Sequence, residues 1–184
     1  MPLFQQPFMM SWPSINRSSI CTTQVYSDTT RNSNFNLGYT TANAGVRYGL
    51  QIDAGFSDIG KYIKLLRFNV AKAGSPTGNC YAKVYNSSNV EQATSSALDV
   101  STLTTSPTFS DEDFDLGSNY QIQEGDRIVL EYTNGDASNY IAVAAHNTSS
   151  PSNTTHIAYI SGSWSDPNSA WTPTHTWDYN PTCP

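Results

Sequence analysis

The residues best suited to chemistry are aromatic side chains near the C-terminus. Three of the four tryptophans lie between positions 164 and 177, interspersed with Pro, Asn, Asp and Thr. Flat rings can stack on the C–H faces of sugars, while neighbouring amides and carboxylates bond the hydroxyls. We therefore predict a glycan-binding surface made by Trp164, Trp171, Trp177 and Tyr179. The alternative is that these rings cap a hydrophobic core, because tryptophan buries a large apolar area.

A run of carboxylates is the second candidate. Asp111, Asp113 and Asp115 alternate along one segment, and Ca²⁺ binds six to eight oxygen ligands. On a strand, alternate residues lie about 7 Å apart, so a calcium site here needs ligands from another loop. The alternative is a solvated strand face that discourages edge-to-edge association. Asp53 and Asp58, which flank a turn, form a second and weaker calcium prediction.

Catalytic motifs are missing from the sequence. It contains no G-x-S-x-G, no H-E-x-x-H and no glycine-rich phosphate loop. Glu131 and Asp126 are available as a carboxylate pair for glycoside hydrolysis, but nothing in their spacing singles them out. We predict that the chain is not an enzyme, and calcium is the one cofactor that its residues suggest.

The composition limits the partners. A formal net charge of −6 disfavours nucleic acid, which binds proteins that neutralise its phosphates. No apolar run approaches the ~20 residues of a membrane span. Charged residues make up only 13%, whereas 24 Ser, 20 Thr, 16 Asn and 11 Tyr occur among 184 residues. This polar, tyrosine-rich composition is typical of an all-β protein that works outside a cell.

Residues 1–19 are apolar but interrupted by prolines, which excludes a regular helix. They also lack the basic start of a secretory signal, so either a leader was removed or none was used. We predict an extended assembly arm that packs along its own domain or onto a neighbouring subunit. Its apolar side chains are Phe4, Phe8, Met9, Met10 and Trp12.

The three cysteines show no C-x-x-C spacing, which argues against a zinc site. Cys80 lies on the apolar side of an alternating segment, and we expect it to be a small buried hydrophobic residue. Cys183 can pair with Cys21 or with another chain, and the sequence leaves this open.

The stretch 61–86, KYIKLLRFNVAKAGSPTGNCYAKVYN, has the clearest pattern. Both of its arms alternate apolar and polar residues, as half-buried strands do, and the residues between them are turn formers. We predict a β-hairpin. Its apolar faces are Leu66, Phe68 and Val70 in the first arm and Cys80, Ala82 and Val84 in the second.

Further alternating segments predict nine or ten short strands without a substantial helix, hence an all-β, antiparallel β-sandwich of jelly-roll type. One domain, 20–184, follows the arm 1–19. Asn134–Gly135 predicts a hairpin turn, and 28–39 and 86–99 are predicted loops. The other predicted strands are 20–27, 46–53, 98–103, 108–116, 126–133, 140–146, 155–160 and 174–179.

Charge is unevenly distributed along the chain. Residues 1–83 carry eight basic and three acidic side chains, whereas residues 84–184 carry one basic and twelve acidic side chains. If the halves lie at opposite ends, the molecule is dipolar and can stack head to tail. The alternative is that strands from both halves interleave and cancel the dipole.

Several segments together resemble a known kind of module. The runs LRFNVAKAGSPTGNCYAKVYN, LDVSTLTTSPTFSDEDFDL, EGDRIVLEYTNGDASNYIAV and YISGSWS are similar to β-sandwich domains of phage structural proteins and of bacterial and archaeal surface proteins. Such domains share a jelly-roll shape with carbohydrate-binding modules. The resemblance covers about residues 40–165 and implies a fold; it implies no site residues.

These observations favour a non-enzymatic structural or adhesive subunit of an extracellular assembly. A virion protein, such as a capsid decoration or tail appendage, would explain both a composition typical of extracellular proteins and a start without a secretory leader, because virions leave the cell by lysis. The expected partners are copies of the same chain or another virion or cell-surface protein. The alternative function is a carbohydrate-binding module that recognises glycans through its C-terminal Trp and Tyr residues.

Overall fold

The computed structural model describes residues 24–28, 33–39, 44–146, 152–165, 172–173 and 175–180. For 24–28, 146, 172–173 and 175–180 it describes the backbone and not the side chains. The predicted arm 1–19, Trp171, Cys21 and Cys183 lie outside the described residues. The division into an arm and a domain 20–184 therefore stays a prediction.

The described residues are nearly all β-structure and include no α-helix; one 3-10 turn spans Val100–Thr102. They form fifteen strand segments, more than the nine or ten predicted, in part because three of them have only two residues. In chain order these are β1 (Gln24–Asp28), β2 (Ser33–Leu37), β3 (Ala44–Gly45), β4 (Arg47–Ile52), β5 (Tyr62–Ala73), β6 (Asn79–Tyr85), β7 (Glu91–Thr94), β8 (Leu98–Asp99), β9 (Ser110–Gln121), β10 (Arg127–Glu131), β11 (Tyr140–His146), β12 (Thr154–Ile160), β13 (Ser163–Ser165), β14 (Thr172–Pro173) and β15 (His175–Asn180).

Two strands occupy segments that the sequence predicts as loops. β2 lies within 28–39, where the fully buried Phe35 and Leu37 alternate with Asn34 and Asn36, but two apolar residues in a polar stretch are too few to predict a strand. β7 lies within 86–99 and is mostly exposed, so burial imposes no apolar pattern on it. The predicted edge strand 98–103 is shorter, because Asp99 accepts a hydrogen bond from the Ser101 backbone N–H and caps the 3-10 turn.

The strands form two sheets. The eight-stranded sheet has the order β1-β15-β5-β11-β2-β3, with β9 paired to β5 and β14 to β11. The seven-stranded sheet has the order β13-β12-β4-β10-β6-β7, with β8 paired to β6. Every strand pair among the described residues is antiparallel except the short β2–β3 pair.

The predicted hairpin at 61–86 is wrong. Its arms, β5 and β6, are correctly placed strands, but β5 belongs to the eight-stranded sheet and β6 to the seven-stranded sheet. Alternation shows only that each strand buries one face. Two successive strands have this pattern whether they pair in one sheet or lie in two sheets that face each other. Residues 74–78 are therefore a crossover between sheets.

The link from β10 to β11 also crosses between sheets, so it is not a hairpin either. Gly135 does not have the positive φ that the predicted Asn-Gly hairpin turn requires. The two crossovers lie against each other: the Ser75 N–H donates to Asn139 Oδ1 at 2.8 Å, and the Tyr132 hydroxyl donates to Thr77 O at 2.9 Å. Together they join the two sheets at one end.

A single hydrophobic core lies between the sheets and receives side chains from both. Phe35 of β2 stacks on Tyr48 of β4 with ring centroids 4.2 Å apart, and both side chains are fully buried. Cys80 is also buried in this core, as predicted, and burial raises the pKa of its thiol. Two facing layers around one core are the arrangement that buries one face of each sheet.

Strands from the two halves of the chain interleave. β4 pairs with β10 and β12, and β5 pairs with β9, β11 and β15. The basic first half and the acidic second half are therefore mixed within both sheets. This arrangement favours the alternative in which interleaved strands cancel the dipole over the one in which the two halves lie at opposite ends.

We predict that Gly74→Ala destabilises the fold more than Gly60→Ala. Both glycines have positive φ, 68° and 85°, so either alanine carries a strain of about 1–2 kcal/mol. A Cβ on Gly74 would also lie 2.1 Å from Ser138 O of the other crossover, whereas nothing lies within 4 Å at Gly60. Urea unfolding should show an additional loss of about 1–3 kcal/mol for Gly74→Ala. Equal losses would mean that the crossovers do not pack together.

Candidate functional site

One face of the seven-stranded sheet covers the core, and the opposite face carries a row of aromatic and charged side chains. The pairing registers align Trp164 (β13), Tyr159 (β12), Arg47 (β4), Glu131 (β10) and Tyr81 (β6) across five adjacent strands. We use the term outer face for this row together with neighbouring side chains on the same side, namely Lys83, Tyr85 and Arg127.

Arg47 is enclosed by aromatic rings. Its guanidinium carbon lies 4.3 Å from the ring centroid of Tyr85 and 4.6 Å from that of Tyr159. The Trp164 ring is 5.7 Å away. These distances are within the ~6 Å range in which a cation is attracted to the face of a ring. Arg47 Nε also donates a hydrogen bond to Glu131, so the guanidinium is fixed from several directions.

Glu131 connects the charged groups. Its carboxylate accepts hydrogen bonds from Arg47, from Lys83 Nζ at 2.7 Å and from the Tyr85 hydroxyl at 2.8 Å. Burial alone would raise the pKa of Glu131, but the hydrogen bonds from these three donors lower it overall. Burial and the bond to Glu131 raise the pKa of Tyr85 to about 12. Glu131 is therefore charged, and Tyr85 is neutral, near neutral pH.

A small second hydrophobic cluster lies beneath these polar groups. Val129 and Ile157 point away from the main core, yet they are 0% and 5% exposed because Tyr85 and Trp164 pack over them. The aromatic rings therefore have an apolar base that holds them close to the sheet. This cluster stabilises the outer face in one arrangement.

Trp164 is held at the edge of the sheet while remaining partly exposed. Its Nε1–H donates to Asn89 Oδ1 at 2.9 Å, and Asn89 adopts a φ of 63°, which asparagine tolerates well. The guanidinium carbon of Arg127 lies 5.2 Å from its ring. Arg127 in turn donates to the carbonyls of Asn86 and Ser87, which ties the turn before β7 to this face.

The predicted glycan residues are only partly brought together. Trp164 lies on the outer face, but Trp177 and Tyr179 belong to β15 in the eight-stranded sheet. Trp171 lies outside the described residues. Sequence reasoning found Trp164 from its residue type but missed Arg47 and Tyr159, because alternation does not show which strands are neighbours.

The predicted calcium ligands each have a separate partner on β5. Arg67 forms a two-point ion pair with Asp113 at 2.6 and 2.9 Å, and hydrogen bonding by Arg67 lowers the pKa of Asp113. Asn69 donates to Asp111 at 2.7 Å, and Lys64 lies 3.9 Å from Asp115. Among the described strands, β9 pairs with β5 alone, so these carboxylates line a sheet edge, where charge discourages strand addition.

Asp53 and Asp58, the second predicted calcium pair, also bond to different partners. Asp53 accepts from Thr155 at 2.6 Å, and the buried Asp58 accepts from Lys61 at 2.7 Å. Within the described part of the chain, no three His, Cys, Asp or Glu side chains are grouped so that they could hold a metal ion. Calcium binding stays a prediction that these contacts do not support.

The carboxylate pair considered for hydrolysis has structural partners. Asp126 is 2% exposed and accepts from the Tyr120 hydroxyl and the Gln123 N–H, both at 2.8 Å. Burial raises the pKa of Asp126, and these two hydrogen bonds oppose the shift. Glu131 belongs to the ion cluster described above. The prediction that the chain is not an enzyme stays a prediction.

Comparison with protein-family models, curated proteins and solved structures found no match. The resemblance to phage and surface-protein domains therefore rests on the sequence motifs alone. No helix in the described ranges is long and apolar enough to span a membrane.

We predict that Glu131→Gln destabilises the protein by about 2–3 kcal/mol at pH 7, because it leaves Arg47 and Lys83 without their shared carboxylate. The folded-state pKa of Glu131 lies below its ordinary value of 4.5. Its contribution is therefore present above about pH 4.5 and is lost as the pH falls through the lowered pKa.

Urea unfolding of both proteins between pH 7 and pH 3 tests this expectation. The stability difference should shrink with acid, and Glu124→Gln, at an exposed site, is the control that should match the wild type. A difference that is constant with pH would show that the charge of Glu131 does not stabilise the outer face.

Proposed function

We propose that this chain is a β-sandwich of jelly-roll type that acts by surface contact, as a structural or adhesive subunit of an extracellular assembly. A virion protein, such as a capsid decoration or a tail appendage, is the assembly component that we favour. The two facing sheets with crossovers between them support the sandwich. No catalysis is part of this proposal.

The observation that carries the proposal is the position of β1. It is the terminal strand of the eight-stranded sheet, with β15 as its partner among the described strands. The apolar segment 1–19 precedes it by only four residues. Since an extended chain can add to the edge of a neighbouring sheet, a segment that joins the domain at a sheet edge is well placed to reach another subunit.

The described surface supports a contact role for that segment. Among the described residues, the exposed large hydrophobic side chains are Ile59 and Val90, at 37% and 54% exposure. They are scattered singly, as on most soluble proteins, and do not form a broad apolar patch. The described surface therefore offers no broad apolar patch to a partner, and the proposal assigns hydrophobic contact to the apolar residues of 1–19.

We predict that deleting residues 2–19 lowers the particle mass in solution to that of the monomer while the domain stays folded. Burial of large apolar side chains such as Phe8 and Trp12 on a partner contributes about 1.5–3 kcal/mol each, and the deletion removes it. Sedimentation velocity measures the mass, and thermal unfolding checks the fold.

A length-matched control replaces Phe4, Phe8, Met9, Met10 and Trp12 with Ser. It should dissociate as the deletion does if side-chain burial holds the assembly. Deleted and intact proteins with the same oligomeric mass would remove the arm from the proposed function.

A second candidate function, glycan recognition, is favoured by a separate observation. Trp164, Tyr159 and Tyr81 lie in one register across the outer face, and each is partly exposed. Partly exposed rings beside charged and amide groups are typical of sites that bind sugars. This site differs from the predicted C-terminal set, since it shares only Trp164 with it.

A further inference from the structure

We propose that the outer face binds a glycan that carries carboxylate groups, such as a polymer of uronic acids. The rings of Tyr81, Tyr159 and Trp164 would contact the sugar rings, and Arg127 and Lys83 would lie near the carboxylates. This inference rests on the glycan-binding candidate above and specifies its ligand class and its residues.

The first support is the contrast in charge between the two sheets. The outward side of the seven-stranded sheet holds three cations, Arg47, Lys83 and Arg127, against three carboxylates, Glu131, Glu91 and Asp53. The exposed pairs between β5 and β9 in the other sheet hold two cations against three carboxylates, namely Lys64 and Arg67 against Asp111, Asp113 and Asp115. On a chain of net charge −6, an anionic ligand is therefore best accommodated on the outer face.

The second support is the way Arg127 is held. Among its contacts with described residues, Nε donates to Gln51 and Nη1 donates to the carbonyls of Asn86 and Ser87. These bonds fix the guanidinium beside the Trp164 ring. No residue in the described ranges accepts from Nη2, and the proposal assigns its hydrogens to the ligand. A planar guanidinium fixed in this way suits a carboxylate, and an adjacent ring suits the sugar that bears it.

The third support is the shape of the row. Adjacent strands lie about 4.8 Å apart, so the backbones of Trp164 and Tyr81 are about 19 Å apart across five strands. The Trp164 ring reaches inward from β13, and its centroid lies 6.0 Å from that of Tyr85. Arg47 and Glu131 occupy the middle of the row and are 20% and 13% exposed. A polymer that lies across the strands therefore meets the Tyr159 and Trp164 rings that surround Arg47, and Tyr81 at the β6 end of the row.

The carboxylates of the face also limit the ligand. Glu131 keeps its charge because its pKa is lowered, and it lies between the two cations Arg47 and Lys83. A dense polyanion would approach these negative charges at close range, at a Coulombic cost. A glycan with at most one carboxylate per sugar and several hydroxyl donors offers anions to Arg127 and Lys83 and hydrogen-bond donors to the carboxylates of this face.

The test uses the full chain in affinity electrophoresis against polygalacturonate, alginate and hyaluronate, each beside its methyl ester. The ester keeps the sugar and removes the charge, so it isolates the carboxylate. We expect the acid forms to retard the protein, the esters to bind about tenfold more weakly, and added salt to reduce the difference.

Arg127→Gln should weaken binding of the acid form about tenfold and leave the ester unaffected. Tyr81→Ala should weaken both forms. Arg67→Gln, on the eight-stranded sheet, is the matched control and should stay within twofold of the wild type. Thermal unfolding of each variant verifies that the loss is in binding.

Equal binding of acid and ester, still lost in Tyr81→Ala, would overturn the acidic ligand while leaving glycan recognition in place. Retardation by none of the polymers would overturn both the inference and the glycan-binding candidate. An effect of Arg67→Gln as large as that of Arg127→Gln would show that the outer face is not the site.

Discussion

The structure depends on β5 and β6, which belong to different sheets and bury their apolar faces in the same core from opposite sides. Each strand buries mainly one face; β5 pairs with β9, β11 and β15, whereas β6 pairs with β7, β8 and β10. The chain therefore crosses between sheets after β5, and it crosses again after β10. Those crossovers pack on each other through Ser75, Asn139, Thr77 and Tyr132. With the core closed in this way, every other feature of the described molecule lies on the outward faces and edges of two sheets.

The two outward faces use their charges differently. On the eight-stranded sheet, the exposed pairs between β5 and β9 are in contact with water, and such pairs contribute little to stability. On the seven-stranded sheet, Glu131 is largely buried among Arg47, Lys83 and Tyr85, and the rings around Arg47 rest on Val129 and Ile157. The outer face is therefore a preorganised surface, whereas the opposite face is a solvated edge region.

Much of the strand content could be predicted because burial imposes alternation; β4, β6, β11 and β12 follow the predicted segments closely. Pairing could not be predicted, since a turn such as 74–78 suits a hairpin and a crossover equally. The candidate site was harder to predict than the strands. Arg47 and Glu131 form a hydrogen bond although they are 84 residues apart in the sequence, and no local pattern links them. Trp164 was found from its type, but its partners depend on strand order.

The function that we propose for this domain is contact through its surface and through the apolar residues of 1–19. The most direct test is the mass of the intact particle, measured by sedimentation equilibrium over a hundredfold range of concentration. The account predicts a defined oligomer that persists on dilution. A mass equal to the 20.1 kDa chain at every concentration would contradict it.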